Sequence, residues 1–259
     1  MEPPGHHALE PTADAMREMA SAAAEFAVRF IEALPDAPAS DVEGFEALVD
    51  RLREPSPEAG SDLAPLLDLL GQGAAKGFTT AGPGYLAYVP GGGLFAAAVA
   101  DFLANAINKF VGVWQTAPAL VQMEATAIRW LCDQFDYPPE ARGILTSGGS
   151  MANFTAIVSA RRALLPEDFV KGTLYVSDQA HLSVPKAAVL AGFPQRNVRW
   201  VATTPELRMD LDALGRMIRD DRAMGLLPFC VVVSAGTTNT GAVDPIGDAV
   251  ALAHGEGMW

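Results

Sequence analysis

The chain has 259 residues, of which 50% are hydrophobic and 19% are charged, a composition typical of a compact globular protein rather than a disordered one. Its formal net charge of −13 argues against nucleic-acid binding, and its most apolar stretch, residues 94–107, is too short to span a membrane. Only two cysteines are present and the N-terminus lacks a signal-peptide pattern, so we expect a cytoplasmic protein with reduced thiols.

The first eighty residues are predicted to form a helical N-terminal segment. Apolar residues recur there at helical spacing, and Pro35 ends the first helix because proline cannot continue the hydrogen-bond ladder. Ser61 is a good N-cap for the last helix of the segment. Three helices are predicted, over residues 15–34, 42–53 and 62–76.

After a loop rich in glycine and proline over residues 77–93, two further helices are predicted, over residues 94–108 and 117–135. From Gly143 onward, short apolar runs alternate with helical stretches, which is typical of crossover units on a mainly parallel sheet with helices on both faces. The predicted strands are 144–145, 174–176, 198–201 and 229–233. The predicted helices between and after them are 151–164, 184–191, 211–224 and 246–254.

The last two residues, Met258 and Trp259, follow the final predicted helix and have the pattern of the first step of another strand. A sheet that stopped there would have its last strand barely begun. We therefore expect the chain to be a truncated piece of a longer protein.

The turn at residues 146–150 lies between a predicted strand and a predicted helix. Its two glycines allow close approach of a ligand to the backbone, and the first N–H groups of the helix lie at its positive end. Ser147 and Ser150 can add hydroxyl donors, so phosphate or carboxylate is the expected ligand. Two alternatives remain: Ser150 only caps the helix, or it is the nucleophile of a serine hydrolase that uses His254.

Two more polar segments follow predicted strands. Residues 177–181 include His181, and residues 234–241 are rich in threonine. Each alone is compatible with an ordinary surface histidine or a hydroxyl-rich loop. However, the carboxyl ends of parallel strands open on one edge of a sheet, and ligands collect there. The turn, His181 and the threonine loop are therefore expected to lie close together.

Four segments, in this order and spacing, resemble the pyridoxal-phosphate-dependent group II decarboxylases, the family of aromatic-L-amino-acid decarboxylase. The resemblance runs from about residue 40 to the end of the chain. It implies a fold-type-I large domain over residues 81–259, incomplete at its C-terminus, that binds pyridoxal 5′-phosphate. The four segments are residues 82–90, 145–153, 177–181 and 236–241.

The resemblance also implies roles for single residues. Gly149 and Ser150 would hold the cofactor phosphate, and His181, as a catalytic residue, would lie over the pyridine ring. Thr238 would contact the cofactor from the neighbouring strand end. Tyr88 and Pro90 would shape the substrate pocket, with Trp114 near them. No metal is expected.

The implied activity is decarboxylation of an L-amino acid, aromatic or similar, in the intact parent protein. In that protein the helical segment 1–80 would wrap the partner subunit of a homodimer. Another lyase or a transaminase on the same fold, and an inactive fragment, remain alternatives.

The chain departs from the family at a few positions. Many relatives have Glu where this chain has Met151. The family places the aspartate that pairs with the pyridine nitrogen on the strand that would begin at Met258 and Trp259, and the Schiff-base lysine on a later strand. A mobile loop with a catalytic tyrosine would come beyond that, and none of the three is present in this chain. Lys186 follows His181 by five residues but is expected to be a surface lysine. We therefore expect the chain alone to be inactive.

Overall fold

The computed structural model describes residues 10–89 and 91–259 and groups them into two compact units. The described residues up to Ala106 form the first unit, and Ile107–Trp259 form the second. The domain boundary that the sequence predicts between residues 80 and 81 stays a prediction. Among the described residues, no helix combines the length and the apolar character needed to cross a membrane.

The first unit is helical, as predicted. Thr12 caps its first helix by accepting a 3.2 Å hydrogen bond from the Ala15 N–H. That helix packs on the third one so closely that a Cβ built on Gly71 would lie 3.4 Å from the Phe26 ring. The helices are α1 (Ala13–Ala33), α2 (Phe45–Leu52), α3 (Leu63–Ala74) and α4 (Phe95–Ile107), and α4 ends at the boundary between the units.

A small antiparallel pair joins two loops of this unit. Strand β1 (Ser40–Asp41) pairs with β2 (Gly77–Phe78), and Lys76 Nζ lies 2.9 Å from Asp41 Oδ2. The hydrogen bond from Lys76 holds the pKa of the Asp41 carboxyl below its ordinary value. Neither the pair nor this contact was predicted from the sequence, because strands of two residues carry no periodic signal.

The second unit contains the predicted parallel sheet. Its strands lie in the order β4-β3-β5 and all run in the same direction. The strands are β3 (Gly172–Ser177), β4 (Val198–Val201) and β5 (Leu227–Val232). The helices are α5 (Pro118–Gln134), α6 (Gly149–Leu164), α7 (Ser183–Leu190), α8 (Leu211–Ala223) and α9 (Ile246–Gly255).

Helices cover both faces of this sheet, which confirms the predicted fold class. On the central strand β3, successive side chains point to opposite faces, and every residue of the strand is buried. Leu174 and Val176 pack with α6 and α7, whereas Tyr175 packs with α8 and α9. Burial on both faces explains why residues 174–176 are apolar without alternation in the sequence.

The predicted strand at Ile144 and Leu145 is wrong. Both residues are irregular in backbone and their side chains are 65% and 60% exposed. A strand requires a hydrogen-bonding neighbour, and no strand of the described chain pairs with these two residues. A run of two apolar residues also gives no periodicity from which a partner could be inferred.

The prediction for the last residues agrees with the hydrogen bonds there. The Trp259 N–H donates to the Phe229 carbonyl at 2.8 Å, and the Val231 N–H donates to the Trp259 carbonyl at 2.9 Å. Trp259 therefore lies beside β5 with the hydrogen bonds of a neighbouring strand.

Candidate functional site

The turn before α6 presents two unused backbone donors. The N–H groups of Met151 and Ala152 both donate to the Gly148 carbonyl at 3.1 Å, which leaves the Gly149 and Ser150 N–H groups as the first-turn donors without a partner inside the helix. Gly148 has φ +150°, a backbone conformation that glycine adopts without strain.

The space in front of this turn is open. A Cβ built on Gly148 or on Gly149 would meet no atom within 4 Å, and the Ser150 side chain is exposed. The site thus combines two N–H donors, a free hydroxyl and the positive end of a helix of 16 residues. This set of donors fits the phosphate of the cofactor that the resemblance implies.

Ser150 also lines a groove between the start of α6 and the length of α7. The groove has a volume of about 320 Å³, and Lys186, which is exposed, lies at it together with Ser183. Lys186 is thus the cation that shares this groove with the turn. The expectation of an ordinary surface lysine agrees with its exposure.

His181 is held by residues next to this groove. Its Nδ1 lies 2.8 Å from the Ser183 Oγ and accepts the Ser183 backbone N–H at 3.2 Å. Ser183 in turn accepts a 2.8 Å hydrogen bond from the Asn153 side-chain amide. Because Asn153 lies one turn after Gly149 on α6, this bond places His181 near the helix end that carries Gly149 and Ser150.

The threonine loop begins where β5 ends. A cavity of about 240 Å³ lies between the second and third turns of α6, the start of α7, Trp259 and residues 230–233 of β5 and its continuation. Asn153 lines this cavity together with Val233, so the loop that begins at Ser234 starts close to the turn. The structure therefore brings the three predicted polar segments to one end of the sheet.

Two neighbouring threonines in this loop differ in their contacts. The Thr237 hydroxyl is buried and lies 2.6 Å from the Thr240 hydroxyl. The Thr238 side chain is half-buried, and its hydroxyl makes no hydrogen bond to any described residue. Thr238, the residue singled out from the sequence, is thus the one whose hydroxyl is available to a ligand.

Asp244 braces this loop and was not found from the sequence. It is buried, and its two carboxylate oxygens accept the Met209 N–H at 2.8 Å and the Ser234 N–H at 2.7 Å. It thereby ties the loop after β4 to the loop after β5. Asn153 and Ser183 were also missed as site residues, because their contact spans 30 positions.

The residues predicted for the substrate pocket are not tested by these contacts. Tyr88 belongs to the first unit, is 72% exposed, and has φ +56°, which is uncommon for a residue other than glycine. Pro90 lies outside the described residues. Trp114 belongs to the second unit and is half-exposed.

The geometry does not support the serine-hydrolase alternative. His254 is on α9, which packs on the face of the sheet opposite to α6 and its Ser150. The nearer histidine, His181, already directs Nδ1 to Ser183. No described histidine forms a hydrogen bond with Ser150, as a nucleophile would need.

Known proteins with a similar sequence point to one family. Residues 51–259 match the family model described as "Pyridoxal-dependent decarboxylase conserved domain". An aromatic-L-amino-acid decarboxylase of Bacillus atrophaeus is 37% identical over 252 residues, which are 97% of this chain and 52% of that protein. An L-2,4-diaminobutyrate decarboxylase of Rhizobium meliloti is 30% identical over 84% of this chain and 44% of its own length.

Solved structures give the same picture for the fold. A Catharanthus roseus tryptophan decarboxylase in complex with L-tryptophan superimposes with a TM-score of 0.87 at 26% identity, over 97% of this chain and 56% of that one. A structure described as Oryza sativa TDC with PLP and tryptamine gives a TM-score of 0.86 at 27% identity, over 98% and 55%. The chain spans about half the length of the curated relatives that it matches.

Proposed function

The chain belongs to the pyridoxal-dependent decarboxylase family, and from that premise we propose that it binds pyridoxal 5′-phosphate and serves in the decarboxylation of an L-amino acid. The observation that carries the proposal is the 2.8 Å hydrogen bond between Asn153 and Ser183. It joins the helix end with the free N–H donors to the segment that carries His181, so a phosphate group and a ring bound to it have adjacent sites.

The phosphate is bound by the start of α6 in this proposal. Gly149 and Ser150 donate their backbone N–H groups, and the Ser150 hydroxyl adds a third donor. Hydrogen bonds to a charged acceptor are each worth about 1.5–3 kcal/mol, so three of them account for a phosphate-dependent affinity.

His181 and Thr238 orient the rest of the cofactor. The imidazole would hold one face of the ring, and its Nδ1 contacts with Ser183 would keep it from rotating. The free Thr238 hydroxyl would donate to the cofactor from the loop after β5. When bound, the cofactor supplies a ring that takes up the electron pair left on Cα after carbon dioxide departs.

The substrate is an L-amino acid, aromatic or similar, as the names of the relatives suggest. Tyr88 and Pro90 contact it.

Residues 1–80 wrap a second subunit of a homodimer. Residues 81–259 belong to the cofactor-binding domain, and the protein is cytoplasmic. The exposed apolar side chains of α1, such as Met16 and Phe30, would be covered in that dimer. A sedimentation mass of one chain would contradict the homodimer.

Carbon dioxide release by the protein that carries this chain tests the reaction. The protein is incubated with pyridoxal phosphate and, separately, L-tryptophan, L-tyrosine, L-DOPA, L-glutamate and L-2,4-diaminobutyrate. We expect carbon dioxide and the matching amine from at least one of them, and at least a tenfold slower rate after His181→Gln. A keto acid as the product would instead indicate a transaminase, and labelling of Ser150 by a fluorophosphonate would indicate a hydrolase.

A further inference from the structure

The surroundings of His181 determine which of its ring nitrogens carries the proton. The Ser183 backbone N–H lies 3.2 Å from Nδ1, and a backbone N–H can only donate. Nδ1 must therefore accept. In a neutral imidazole the other nitrogen, Nε2, then carries the hydrogen.

The side-chain hydrogen bonds also make Nδ1 an acceptor. The Asn153 amide group donates to the Ser183 Oγ at 2.8 Å, which occupies a lone pair of that oxygen. The Ser183 hydroxyl hydrogen is then free to donate to Nδ1, which lies 2.8 Å away. Asn153, Ser183 and His181 thus form a chain of hydrogen bonds that runs from α6 to the imidazole, with Nδ1 as its acceptor.

The opposite tautomer would break this pattern. A hydrogen on Nδ1 would face the Ser183 backbone N–H, so two donors would meet. The Nε2 atom makes no hydrogen bond to a described residue, and the His181 side chain is exposed. The hydrogen on Nε2 is therefore available to a ligand.

We propose that Ser183 and Asn153 are positioning residues that hold neutral His181 with its hydrogen on Nε2, and that they couple its orientation to the N-terminal part of α6. The tautomer follows from the contacts of the chain itself. Its use rests on the proposed function, in which the imidazole lies over the cofactor and presents Nε2–H to the reacting groups.

The unmodified chain gives the first test. Long-range ¹H–¹⁵N correlation spectra distinguish a ring nitrogen that carries hydrogen from one that does not. The spectra are recorded without cofactor near pH 9, so that neutral imidazole is observed. The chain has four histidines, and the signals of His181 are those lost in His181→Gln. We expect its Nε2–H form to predominate by about tenfold, and a majority of the Nδ1–H form would overturn the proposal.

Three variants test the parts of the chain of hydrogen bonds. Asn153→Asp replaces the donor with an acceptor, so the Ser183 hydroxyl turns toward it, and the ratio should shift about tenfold toward Nδ1–H. Ser183→Ala should give a smaller shift in the same direction. Ser183→Thr keeps the hydroxyl and should restore the ratio of the unmodified chain. An unchanged ratio in Asn153→Asp, with circular dichroism like that of the unmodified chain, would contradict the role of Asn153.

The outcome is separable from that of the proposed function. A predominant Nε2–H signal in a chain that does not bind pyridoxal phosphate would refute the function and leave the tautomer assignment standing. Binding by a chain whose His181 carries hydrogen on Nδ1 would do the reverse. If Asn153→Asp fails to fold, the spectrum of the unmodified chain and the pair Ser183→Ala and Ser183→Thr still decide the proposal.

Discussion

At the scale of single residues, the candidate site is distinguished by polar groups without internal partners. Thr237 and Thr238 are adjacent and chemically identical, yet only the Thr237 hydroxyl is used by the loop itself, in its contact with Thr240. A hydroxyl that the fold uses contributes to stability, whereas one that the fold leaves free is available to a ligand. The pair therefore separates the two roles within a single dipeptide.

Replacing each of these threonines with valine, which has nearly the same shape, should affect a different property: stability for Thr237 and ligand binding for Thr238. Thr237→Val removes a buried hydrogen bond and should lower the free energy of unfolding by about 1–2 kcal/mol. Thr238→Val should change it by less than about 0.5 kcal/mol but weaken pyridoxal phosphate binding roughly fivefold or more. Urea unfolding and a fluorescence titration measure the two quantities. Equal effects of the two changes on binding would contradict the assignment of Thr238.

The two cysteines should also differ in reactivity. Cys132 is half-buried, whereas Cys230 lies in the core, and burial raises the pKa of the Cys230 thiol to about 12. Since the thiolate is the reactive form, a disulfide reagent at pH 8 should modify one thiol per native chain, and none after Cys132→Ser. Modification of Cys230 in the native Cys132→Ser chain would show that this core is open.

The same raised pKa predicts a dependence of stability on pH. The folded value lies above the ordinary value of 9.0, so the unfolded chain loses the thiol proton first. The contribution of Cys230 to stability is therefore complete below pH 9 and declines as the pH rises toward about 12. Cys230→Ala should reduce the loss of stability over that range.

At the scale of elements, one buried ion pair ties α8 to the sheet. Asp221 of α8 accepts the Tyr175 hydroxyl of β3 at 2.7 Å and two hydrogen bonds from Arg199 of β4, at 2.7 and 2.9 Å. The Asp221 side chain is 5% exposed. Burial raises the pKa of Tyr175 well above its ordinary value, so its hydroxyl remains a donor at neutral pH.

Removing only one partner of this pair should be costly. Arg199→Met leaves the buried carboxylate without its cation and should lower the free energy of unfolding by about 3 kcal/mol. The double change Arg199→Met with Asp221→Leu removes both charges and should be less destabilising than the single one. Urea unfolding of the two variants checks this, and a double variant less stable than Arg199→Met would contradict the account.

The helices and buried strands of the second unit were predictable because each carries its own pattern. Residues 198–201 form the strand predicted for them, and α8 and α9 begin where predicted. The strand predicted at Ile144 and Leu145 failed because pairing depends on a neighbour, which local sequence does not specify. For the site, the turn was predictable from its glycines before a helix and the position of His181 from the end of a strand, whereas the contact of Asn153 with Ser183 depends on how α6 packs on α7.

At the scale of the whole molecule, we propose that the described residues provide one end of a cofactor site. Helix α6 presents its free N–H groups, and the loops after β3 and β5 bring His181 and Thr238 to the same end of the sheet. The family match covers residues 51–259, and the relatives are about twice as long as this chain. The central claim is therefore that the start of α6 binds the cofactor through its phosphate.

A comparison of pyridoxal phosphate with pyridoxal, which lacks the phosphate, tests this claim most directly. Binding to the chain is followed by fluorescence for the unmodified protein, Ser150→Ala and Ser159→Ala. The last is a matched control, because Ser159 is also exposed and lies on the same helix, away from its start.

We predict that the unmodified chain and Ser159→Ala bind pyridoxal phosphate at least tenfold more tightly than pyridoxal. Ser150→Ala should lose about tenfold in affinity for pyridoxal phosphate and keep its affinity for pyridoxal, because one hydrogen bond to the charged phosphate is removed. Equal affinities for the two ligands, or equal effects of the two serine changes, would contradict the claim.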